Sequence, residues 1–142
     1  MSAVCAQDGR TTNYVGVFSD ITQNSEAEAE IHRLAYYDPL TQLPNRRLLQ
    51  DRLAQALAAT VRNGRCGAIL FLDLDNFKML NDMYGHDAGD LLLVELSQRL
   101  LACVRAGDTV ARLGGDEFVL LLEELSADPE EAAVQAKQVG DK

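Results

Sequence analysis

Two carboxylates follow an apolar run in the middle of the chain, where they could bind a metal ion. Asp73 and Asp75 lie at or just past the end of the run Gly67–Leu74, which has the composition of a buried strand. The period-two geometry of a strand puts both side chains on one face, and carboxylates at a strand end suit a hard cation such as Mg²⁺. The simpler alternative is turn chemistry, and we expect one of the two aspartates to cap the next helix. The pair, with Lys78 nearby, favours a site for metal and phosphate.

A glycine pair followed by an acid pair, Gly114–Glu117, forms a second candidate segment at a predicted turn between two strands. Two glycines allow the backbone to bend sharply and to approach a ligand closely. Two acidic side chains at a hairpin tip repel each other unless a cation lies there, although a solvated turn is the simpler alternative. If the strands lie side by side, Asp116 falls beside Asp73. Such a carboxylate cluster could hold two divalent ions that orient a triphosphate for in-line displacement at phosphorus.

The charge of the chain limits the classes of ligand. The 142 residues include 13 Lys and Arg against 22 Asp and Glu, a formal net charge of −9. So acidic a chain is a poor candidate for binding nucleic acid, and a small phosphorylated ligand would need metal ions to supply positive charge. With 47% hydrophobic and 25% charged residues, global disorder is excluded. No apolar run reaches the length of about 18 residues of a membrane span, so we expect no membrane contact from this segment.

Three cysteines, Cys5, Cys66 and Cys103, are far apart and lie in apolar surroundings. An odd number without a CxxC pair is typical of free thiols in a reducing compartment. The N-terminus lacks a basic segment followed by an apolar one, so no secretory signal is visible. These features together predict a cytoplasmic location.

The N-terminal part of the chain predicts a hairpin and a short helix. An Asp8-Gly9 turn separates two β-prone runs, one over Val4–Ala6 and one over Tyr14–Phe18. A helix start at Ser19–Thr22 leads to an amphipathic helix over Gln23–Tyr36, with coiled-coil spacing for about two heptads. Its apolar seam consists of Ala27, Ile31 and Leu34. Such a helix is either a linker packed on its own chain or a dimerising helix between two domains, and two heptads do not decide between them.

Two of the three prolines end this helix and lie in the segment Asp38–Arg46. Proline forces the residue before it out of helical geometry. Asn45 has the residue type of a helix N-cap, which predicts a helix from Arg46 to about Val61. We expect Asn63-Gly64 to end that helix.

The rest of the chain alternates strands and helices. After the strand Gly67–Leu74 we expect a short helix near Asn76–Met83, ended by Gly85, and a Leu-rich helix over about Ala88–Val104. The last predicted elements are a strand at Thr109–Arg112, a turn at Gly114-Gly115, a strand at Glu117–Glu123, and a helix that is capped by Asp128, has Pro129 in its first position and ends at Gly140.

This order of elements predicts an α/β fold of the α+β type, a sandwich of helices on a central sheet that contains antiparallel strands. A strand should return after the last helix of such a sandwich, and no residues remain to form it. We therefore expect a sheet that is incomplete at the C-terminus, in a segment of a longer protein. The N-terminal β-hairpin and the linker helix precede that sheet.

The motifs at the candidate positions resemble those of the GGDEF family, the diguanylate cyclases. Gly114–Phe118 is identical to that family's signature, Gly-Gly-Asp-Glu-Phe, and Asp38–Arg46 is similar to its opening. Phe71–Asp82 resembles its metal-binding strand, and Gly85–Asp90 its nucleotide-binding helix start. The resemblance covers roughly residues 36 to 142, and it implies a nucleotide-cyclase or palm-like sandwich.

A second, less specific resemblance concerns the N-terminal part of the chain. Tyr14–Thr22 is similar to the last strand of a PAS sensor domain that runs into a signalling helix. The two resemblances imply three parts: a C-terminal remnant of a PAS-like domain at residues 1–22, a signalling helix at residues 23–37, and a GGDEF domain, incomplete at its C-terminus, at residues 38–142.

The family resemblance implies metal-binding and catalytic roles for residues of the two acidic segments. Asp73, the backbone carbonyl of Leu74 and Asp116 would bind Mg²⁺ or Mn²⁺, with Glu117 nearby. Asp116 would also be the base that activates the ribose 3′-hydroxyl. Lys78 would neutralise charge that develops on the phosphates.

The same resemblance implies a nucleotide-binding surface. Asn81 and Asp90 would recognise the guanine edge, which suits their hydrogen-bonding groups. His86 would lie against the nucleotide, and Gly114 and Gly115 would allow the substrate to approach. Each of the three polar residues also has a plain structural alternative. Asn81 could be a polar residue at a helix end, and His86 a loop histidine bonded to the backbone. Asp90 could be a first-turn carboxylate favoured by the helix dipole.

Arg105-Ala106-Gly107-Asp108 precedes the glycine pair at the position where the resemblance implies an inhibitory site for cyclic di-GMP. Its position, rather than its existence, supports this interpretation. Arg105 offers a planar fork for a phosphate or a guanine edge. The alternative is an ion pair between Arg105 and Asp108 at a helix end, which contributes little to stability.

Three hypotheses for the function follow. In the first, each protomer of a homodimer binds one GTP with Mg²⁺, and each 3′-hydroxyl attacks the other α-phosphorus, which gives cyclic di-GMP, a bacterial second messenger, and two pyrophosphates. In the second, a non-catalytic module binds GTP or cyclic di-GMP and regulates a neighbouring domain, such as a phosphodiesterase. In the third, the acidic tips of an ordinary α/β domain are only solvated.

Overall fold

The computed structural model of this chain describes residues 2–5, 11–15 and 22–142, with side chains from residue 29 onward. The chain divides into two compact units, Met1–His32 and Arg33–Lys142. None of the helices in the described ranges is long and apolar enough to cross a bilayer.

The first unit contains the predicted hairpin. Strands β1 (Ser2–Cys5) and β2 (Thr11–Val15) pair antiparallel, with Ser2 opposite Val15. The Asp8-Gly9 turn and the end of the second predicted run lie outside the described residues. An antiparallel pair of strands is therefore confirmed, although the strands begin at Ser2 and Thr11, before the predicted runs Val4–Ala6 and Tyr14–Phe18. The turn type stays a prediction.

Helix α1 (Thr22–Tyr36) confirms the helix predicted over Gln23–Tyr36, and its last turn belongs to the second unit. Its predicted start at Ser19 lies outside the described residues. The side chains of Ile31 and Leu34 are 67% and 57% exposed. Within the described residues, these two positions of the apolar seam are therefore not covered.

A short loop joins α1 to helix α2 (Arg46–Asn63). Asn45 Oδ1 accepts hydrogen bonds from the amides of Arg47 and Leu48, at 3.0 and 3.2 Å, so Asn45 is the predicted N-cap. Its Nδ2 atom donates to the carbonyl of Ala35 at 3.0 Å. One side chain thus begins α2 and fixes the end of α1 to it. As predicted, α2 ends at a glycine in the left-handed conformation.

The second unit continues as a sheet with helices packed on both of its faces. Its further elements are β3 (Ala68–Leu72), α3 (Phe77–Tyr84), α4 (His86–Cys103), β4 (Thr109–Gly114), β5 (Glu117–Leu122) and α5 (Pro129–Gly140). The three strands form one sheet in the order β3-β5-β4, and both pairings are antiparallel. The predicted α/β fold with an antiparallel sheet is confirmed.

Strand β5 lies at the centre of the core. Residues Phe118–Leu122 are all buried, in the continuous apolar run that a strand covered on both faces requires. Leu93 and Leu100 of α4 and Ala132 of α5 pack in the same cluster. The start of β5, and the turn that precedes it, are therefore attached to the most buried strand of the sheet.

Most element bounds of the second unit agree with the sequence predictions to within one or two residues, and three of the differences bear on the candidate site. Strand β3 ends at Leu72 rather than Leu74, because the chain turns immediately after it. Helix α4 begins at His86 rather than near Ala88, because Gly85 with φ +88° ends α3 and lets the next helix start at once. Strand β4 runs on to Gly114, so the glycine pair begins within the strand.

The cysteine prediction is confirmed where the structure describes the side chains. Cys66 and Cys103 are both free thiols and both are half-buried. The side chain of Cys5 lies outside the described part of the chain.

Candidate active site

Asp73 and Glu117 lie at the same end of two neighbouring strands, β3 and β5. Asp73 follows Leu72, the last residue of β3, and Leu72 pairs with Phe118, the residue after Glu117 in β5. Both carboxylates line one open cavity of about 340 Å³. The cavity is also lined by Arg46, Phe71, Leu72, Leu113 and Phe118. The fold thus brings together one acid from each of the two acidic segments.

The helix that follows β3 is not capped by an aspartate. Its N-cap residue is Asn76, in the left-handed conformation with φ +62°, and this side chain makes no cap hydrogen bond. The prediction that Asp73 or Asp75 caps α3 is therefore wrong. Asn76 takes this position because asparagine is one of the few residues that enter the left-handed conformation readily. Both aspartates are exposed, and neither carboxylate accepts a hydrogen bond within residues 29–142. They are available to a ligand.

Gly114 and Gly115 shape the turn that carries Asp116. Their φ angles are +140° and +54°, a range that other residues rarely adopt. Gly115 and Asp116 are the two central residues between the paired Gly114 and Glu117, and a positive φ at only the first of them is typical of type II′ hairpin turns. A Cβ atom at either glycine would meet nothing within 4 Å, so backbone conformation requires glycine here. Asp116 is half-buried and does not line the cavity with Glu117.

Arg112 joins this turn to the opening segment of the second unit. Its Nε and Nη2 atoms donate to the carbonyl of Gly115 at 3.0 and 2.6 Å. Its Nη1 atom donates to Asp38 Oδ1 at 2.9 Å. The same carboxylate oxygen accepts from the amide and the hydroxyl of Thr41, at 2.8 and 2.7 Å. The segment Asp38–Arg46 and the turn at Gly114–Glu117 therefore contact each other through the guanidinium of Arg112.

The Asp38 carboxyl is held in its ionised form. Burial raises its pKa, but the hydrogen bonds from Thr41 and the hydrogen bond and charge of Arg112 together lower the pKa by more than burial raises it. The pKa of Asp38 is therefore below the ordinary value of 3.8. The side chains of Arg112 and Asp38 are only 10% and 16% exposed. The exposed ion pair Arg99–Glu95, at 74% and 61%, is a solvated contrast in the same unit. The Arg112–Asp38 pair is thus a well-ordered contact rather than a solvated one.

The oxygen donors at the sheet edge fit a divalent cation. Mg²⁺ in nucleotide sites is usually bound by one or two carboxylates plus substrate phosphates. Asp73 and Glu117 supply two carboxylates, and the Leu74 carbonyl accepts a long hydrogen bond from the Phe77 amide at 3.3 Å, which leaves a lone pair. Within the described residues no group of three or more His, Cys, Asp or Glu is placed to hold a metal ion. Phosphate oxygens would therefore have to complete the coordination.

The predicted nucleotide-binding residues lie on α3 and α4. Lys78 and Asn81 belong to α3, His86 is the first residue of α4, and Asp90 follows one turn later. His86 therefore begins a helix and is not a loop histidine. Lys78, His86 and Asp90 are exposed, whereas Asn81 is half-buried. Their roles stay predictions.

Arg105 and Asp108 lie in the loop between α4 and β4. The Asp108 carboxylate accepts hydrogen bonds from the amides of Arg105 and Glu123, at 2.9 and 3.1 Å. It therefore orders the loop through backbone groups, and no ion pair with the Arg105 guanidinium occurs in the described part of the chain. Both residues line an open cavity of about 520 Å³ together with Arg65 and Glu123. Burial and the nearby Asp108 charge raise the pKa of Glu123.

Two arginines of this region have little functional signal in the sequence. Arg46 has the sequence position of a helix start, yet it lines the cavity of Asp73 and Glu117. Arg112 has the sequence position of a strand end, yet it donates hydrogen bonds to Asp38 and Gly115. The sequence contains one signal for the role of Arg112, which is its position two residues before the glycine pair. A backbone carbonyl group in a tight turn needs a hydrogen-bond donor, and a nearby arginine can supply one.

Comparison with known proteins gives a family match over most of the chain. The family model described as "Diguanylate cyclase, GGDEF domain" matches residues 35–141. The chain is 53% identical over 118 residues to MucR of Pseudomonas aeruginosa, named a bifunctional diguanylate cyclase/cyclic di-GMP phosphodiesterase, covering 83% of this chain and 17% of that protein. It is 43% identical over 102 residues to diguanylate cyclase TpbB of the same species, covering 72% and 23%. The chain thus spans less than a quarter of either relative.

Solved structures show the same fold. The GGDEF domain of TpbB matches with a TM-score of 0.66 at 43% identity, over 73% of this chain and 60% of that one. The coiled coil and GGDEF domain of DgcB from Caulobacter crescentus, in complex with c-di-GMP, matches with a TM-score of 0.72 at 27% identity, over 85% and 61%. The fold class predicted from the sequence is confirmed by both.

Proposed function

This chain belongs to the GGDEF family, and from that premise we propose that it is the catalytic segment of a diguanylate cyclase. With a second copy of itself it would condense two GTP into cyclic di-GMP and two pyrophosphates. The observation that most supports this is the shared cavity of Asp73, Glu117 and Arg46. Two exposed carboxylates beside an arginine suit a triphosphate that arrives with a divalent cation.

The division into parts is a further element of the proposal. Residues 38–142 would form the GGDEF domain, residues 23–37 the signalling helix, and residues 1–22 the end of a PAS-like sensor domain. The antiparallel pair of β1 and β2 and the helix α1 that follows it support this arrangement, and the boundary between the two compact units falls within the proposed signalling helix.

Asp73, the carbonyl of Leu74 and Asp116 would hold Mg²⁺ or Mn²⁺, with Glu117 beside them. When bound, the cation neutralises phosphate charge and favours the ionised form of a nearby hydroxyl. Asp116 accepts the proton of the ribose 3′-hydroxyl. Lys78, exposed in the first turn of α3, donates to the phosphate oxygens.

The transfer is a simple exchange of bonds at phosphorus. The ribose 3′-oxygen of one GTP bonds to the α-phosphorus of the other, and the bond from that phosphorus to the bridging oxygen breaks. Pyrophosphate leaves with the electron pair, and the hydroxyl proton passes to Asp116. The same exchange in the opposite direction closes the ring. Each domain holds one GTP, so turnover requires two domains that face each other.

The exposed seam of α1 supports a homodimer. Ile31 and Leu34 lie uncovered on the helix that enters the domain, as expected if a second copy packs against them. This favours the dimerising interpretation of the helix over a linker packed on its own chain.

Base recognition and feedback complete the proposal. Asn81 and Asp90 would bind the guanine edge, with His86 against the nucleotide. Arg105 and Asp108 would bind cyclic di-GMP as an inhibitor, at the open cavity they share with Arg65.

A titration combined with a turnover assay tests the proposed function. We expect the full-length protein to bind GTP with Mg²⁺ in calorimetry, to bind cyclic di-GMP, and to release two pyrophosphates per cyclic di-GMP formed. Binding of both nucleotides without pyrophosphate release would instead favour a regulatory module. No binding of GTP with Mg²⁺ at millimolar concentrations would mean that the acidic turns are only solvated.

Arg46 provides a prediction that does not depend on the metal ligands. We expect Arg46→Ala to raise KM for GTP by about 10- to 100-fold, because a charge-assisted hydrogen bond to phosphate contributes roughly 1.5–3 kcal/mol. The helix start should persist, since Asn45 caps backbone amides and not the Arg46 side chain. Steady-state kinetics on Arg62→Ala, an exposed arginine in the last turn of the same helix, is the control. Equal KM values in the two variants would remove Arg46 from the site.

A further inference from the structure

Gly89 occupies a position where neither backbone nor burial explains a glycine. It is the fourth residue of α4 and has ordinary helical backbone, unlike the positive-φ glycines Gly64, Gly85, Gly114 and Gly115. It is buried in the helix. Glycine is less favourable than alanine in a helix interior, so the position needs another reason for lacking a side chain.

The space beside Gly89 is filled by the side chain of Asn81. A Cβ atom built on Gly89 would overlap Asn81 Oδ1, and it would lie 2.9 Å from Asn81 Cγ and 3.2 Å from Phe77 Cζ. An alanine here would therefore displace the carboxamide, which is the movable end of a flexible side chain. The phenyl ring of Phe77 would have to shift by only a few tenths of an ångström.

The two ends of the Asn81 carboxamide differ in their surroundings. Its Oδ1 atom is buried and has no hydrogen-bond partner within the described residues. Its Nδ2 atom is not among the buried unpaired atoms and makes no hydrogen bond in the same range, so it keeps some contact with solvent and a free donor. The contact with Gly89 thus leaves the N–H end of the carboxamide accessible as a donor.

We propose that Gly89 is a positioning residue for nucleotide recognition: its missing side chain is the space that holds Asn81 with its amide donor accessible. The proposal rests on the proposed function, in which Asn81 binds guanine, and assigns the orientation of that side chain to Gly89. Any larger residue would push Oδ1 out of its place and move the Nδ2 donor away from the acceptor of the base that it binds.

Gly89→Ala in the full-length protein tests the proposal. We expect KM for GTP to rise about tenfold, the loss of one hydrogen bond, with kcat little changed and the melting temperature not lowered. In an Asn81→Ala background the same glycine substitution should have no further effect on KM, because no carboxamide remains to be displaced. An unchanged KM in Gly89→Ala, or an equal rise in both backgrounds, would overturn the positioning role.

A readout without nucleotide separates this proposal from the proposed function. The side-chain amide signals of Asn81 in a ¹⁵N-correlation spectrum, identified by their loss in Asn81→Ala, should move in Gly89→Ala. Unmoved signals would overturn the contact. If wild-type protein does not bind GTP, the proposed function fails while the spectrum still decides the contact. If Gly89→Ala lowers the melting temperature, its recovery in the double variant supports the contact, and no recovery contradicts it.

Discussion

Asp116→Ala in the full-length protein is expected to reduce cyclic di-GMP formation at least about a thousandfold without unfolding the domain. A positioned general base typically contributes roughly 10²–10⁴-fold to a rate, and loss of a metal ligand adds to this effect. The turn should survive, because its shape depends on the positive φ of Gly115 and on the Arg112 hydrogen bonds to the Gly115 carbonyl. Pyrophosphate release and calorimetric unfolding measure the two effects separately.

Asp51→Ala is the matched control for Asp116→Ala. Asp51 is exposed in α2, and its removal changes the net charge of the chain equally. We expect its turnover and its melting temperature to equal those of the wild type. If Asp116→Ala retains wild-type turnover, the proposed base and metal role of Asp116 is wrong.

Local signals in the sequence predicted most helix ends correctly. Asn45 caps α2 through two backbone amides, and Asp128 caps α5 through the amides of Glu130 and Glu131, as the residue types indicated. Such caps act within three residues, so the sequence contains the whole interaction. The prediction that Asp73 or Asp75 caps α3 is wrong for a reason that is also local. Asn76 takes the N-cap position because it adopts the left-handed conformation that the turn requires.

Contacts between distant residues left no comparable signal. Arg112 and Asp38 are 74 residues apart in sequence, and their contact depends on the order of the strands and on the loop before α2. No periodicity connects two such positions. The antiparallel pairing of β3 with β5 places Asp73 beside Glu117. The sequence does not show which strands are neighbours, so this pairing could only be assumed.

The candidate site was accessible from sequence only in part, for a physical reason. Acidic residues at strand ends are unusual enough to be noticed, because they are badly placed for a core. An arginine at the start of a helix is ordinary, so the approach of Arg46 to the acidic cavity required the three-dimensional arrangement. The accessibility of Asn81 is likewise set by Gly89 across a helix pair, which no local pattern encodes.

Arg112→Ala is expected to lower both stability and activity. The substitution leaves the half-buried Asp38 carboxylate without its cationic partner and the Gly115 carbonyl without two donors. Loss of a mostly buried charged partner should reduce the free energy of unfolding by about 2–3 kcal/mol, which corresponds to a melting temperature lower by roughly 10 °C. Because the released turn carries Asp116, we also expect kcat to fall about 100-fold. Thermal unfolding and pyrophosphate release measure these two losses.

Two further variants separate this effect from a general loss of positive charge. Arg99→Ala breaks the exposed pair with Glu95, and such solvated pairs contribute at most about 1 kcal/mol, so its stability and activity should stay near wild type. Arg112→Lys keeps the charge but lacks the planar fork that serves Asp38 and Gly115 together, so it should recover only part of the loss. Full recovery by lysine would contradict the geometric role of the guanidinium.

The acid dependence of stability tests whether the ionised form of Asp38 maintains this link. Hydrogen bonds from Thr41 and the Arg112 charge outweigh burial, so the pKa of Asp38 in the folded state lies below its ordinary value of 3.8. A group with a lowered folded pKa contributes stability that is fully present above the unfolded value and is lost as pH falls through the folded one. The difference in unfolding free energy between wild type and Asp38→Asn should therefore be constant from neutral pH down to about pH 5 and shrink below 3.8. A difference that grows on acidification would mean that the neutral acid, and not the carboxylate, binds Arg112 and Thr41.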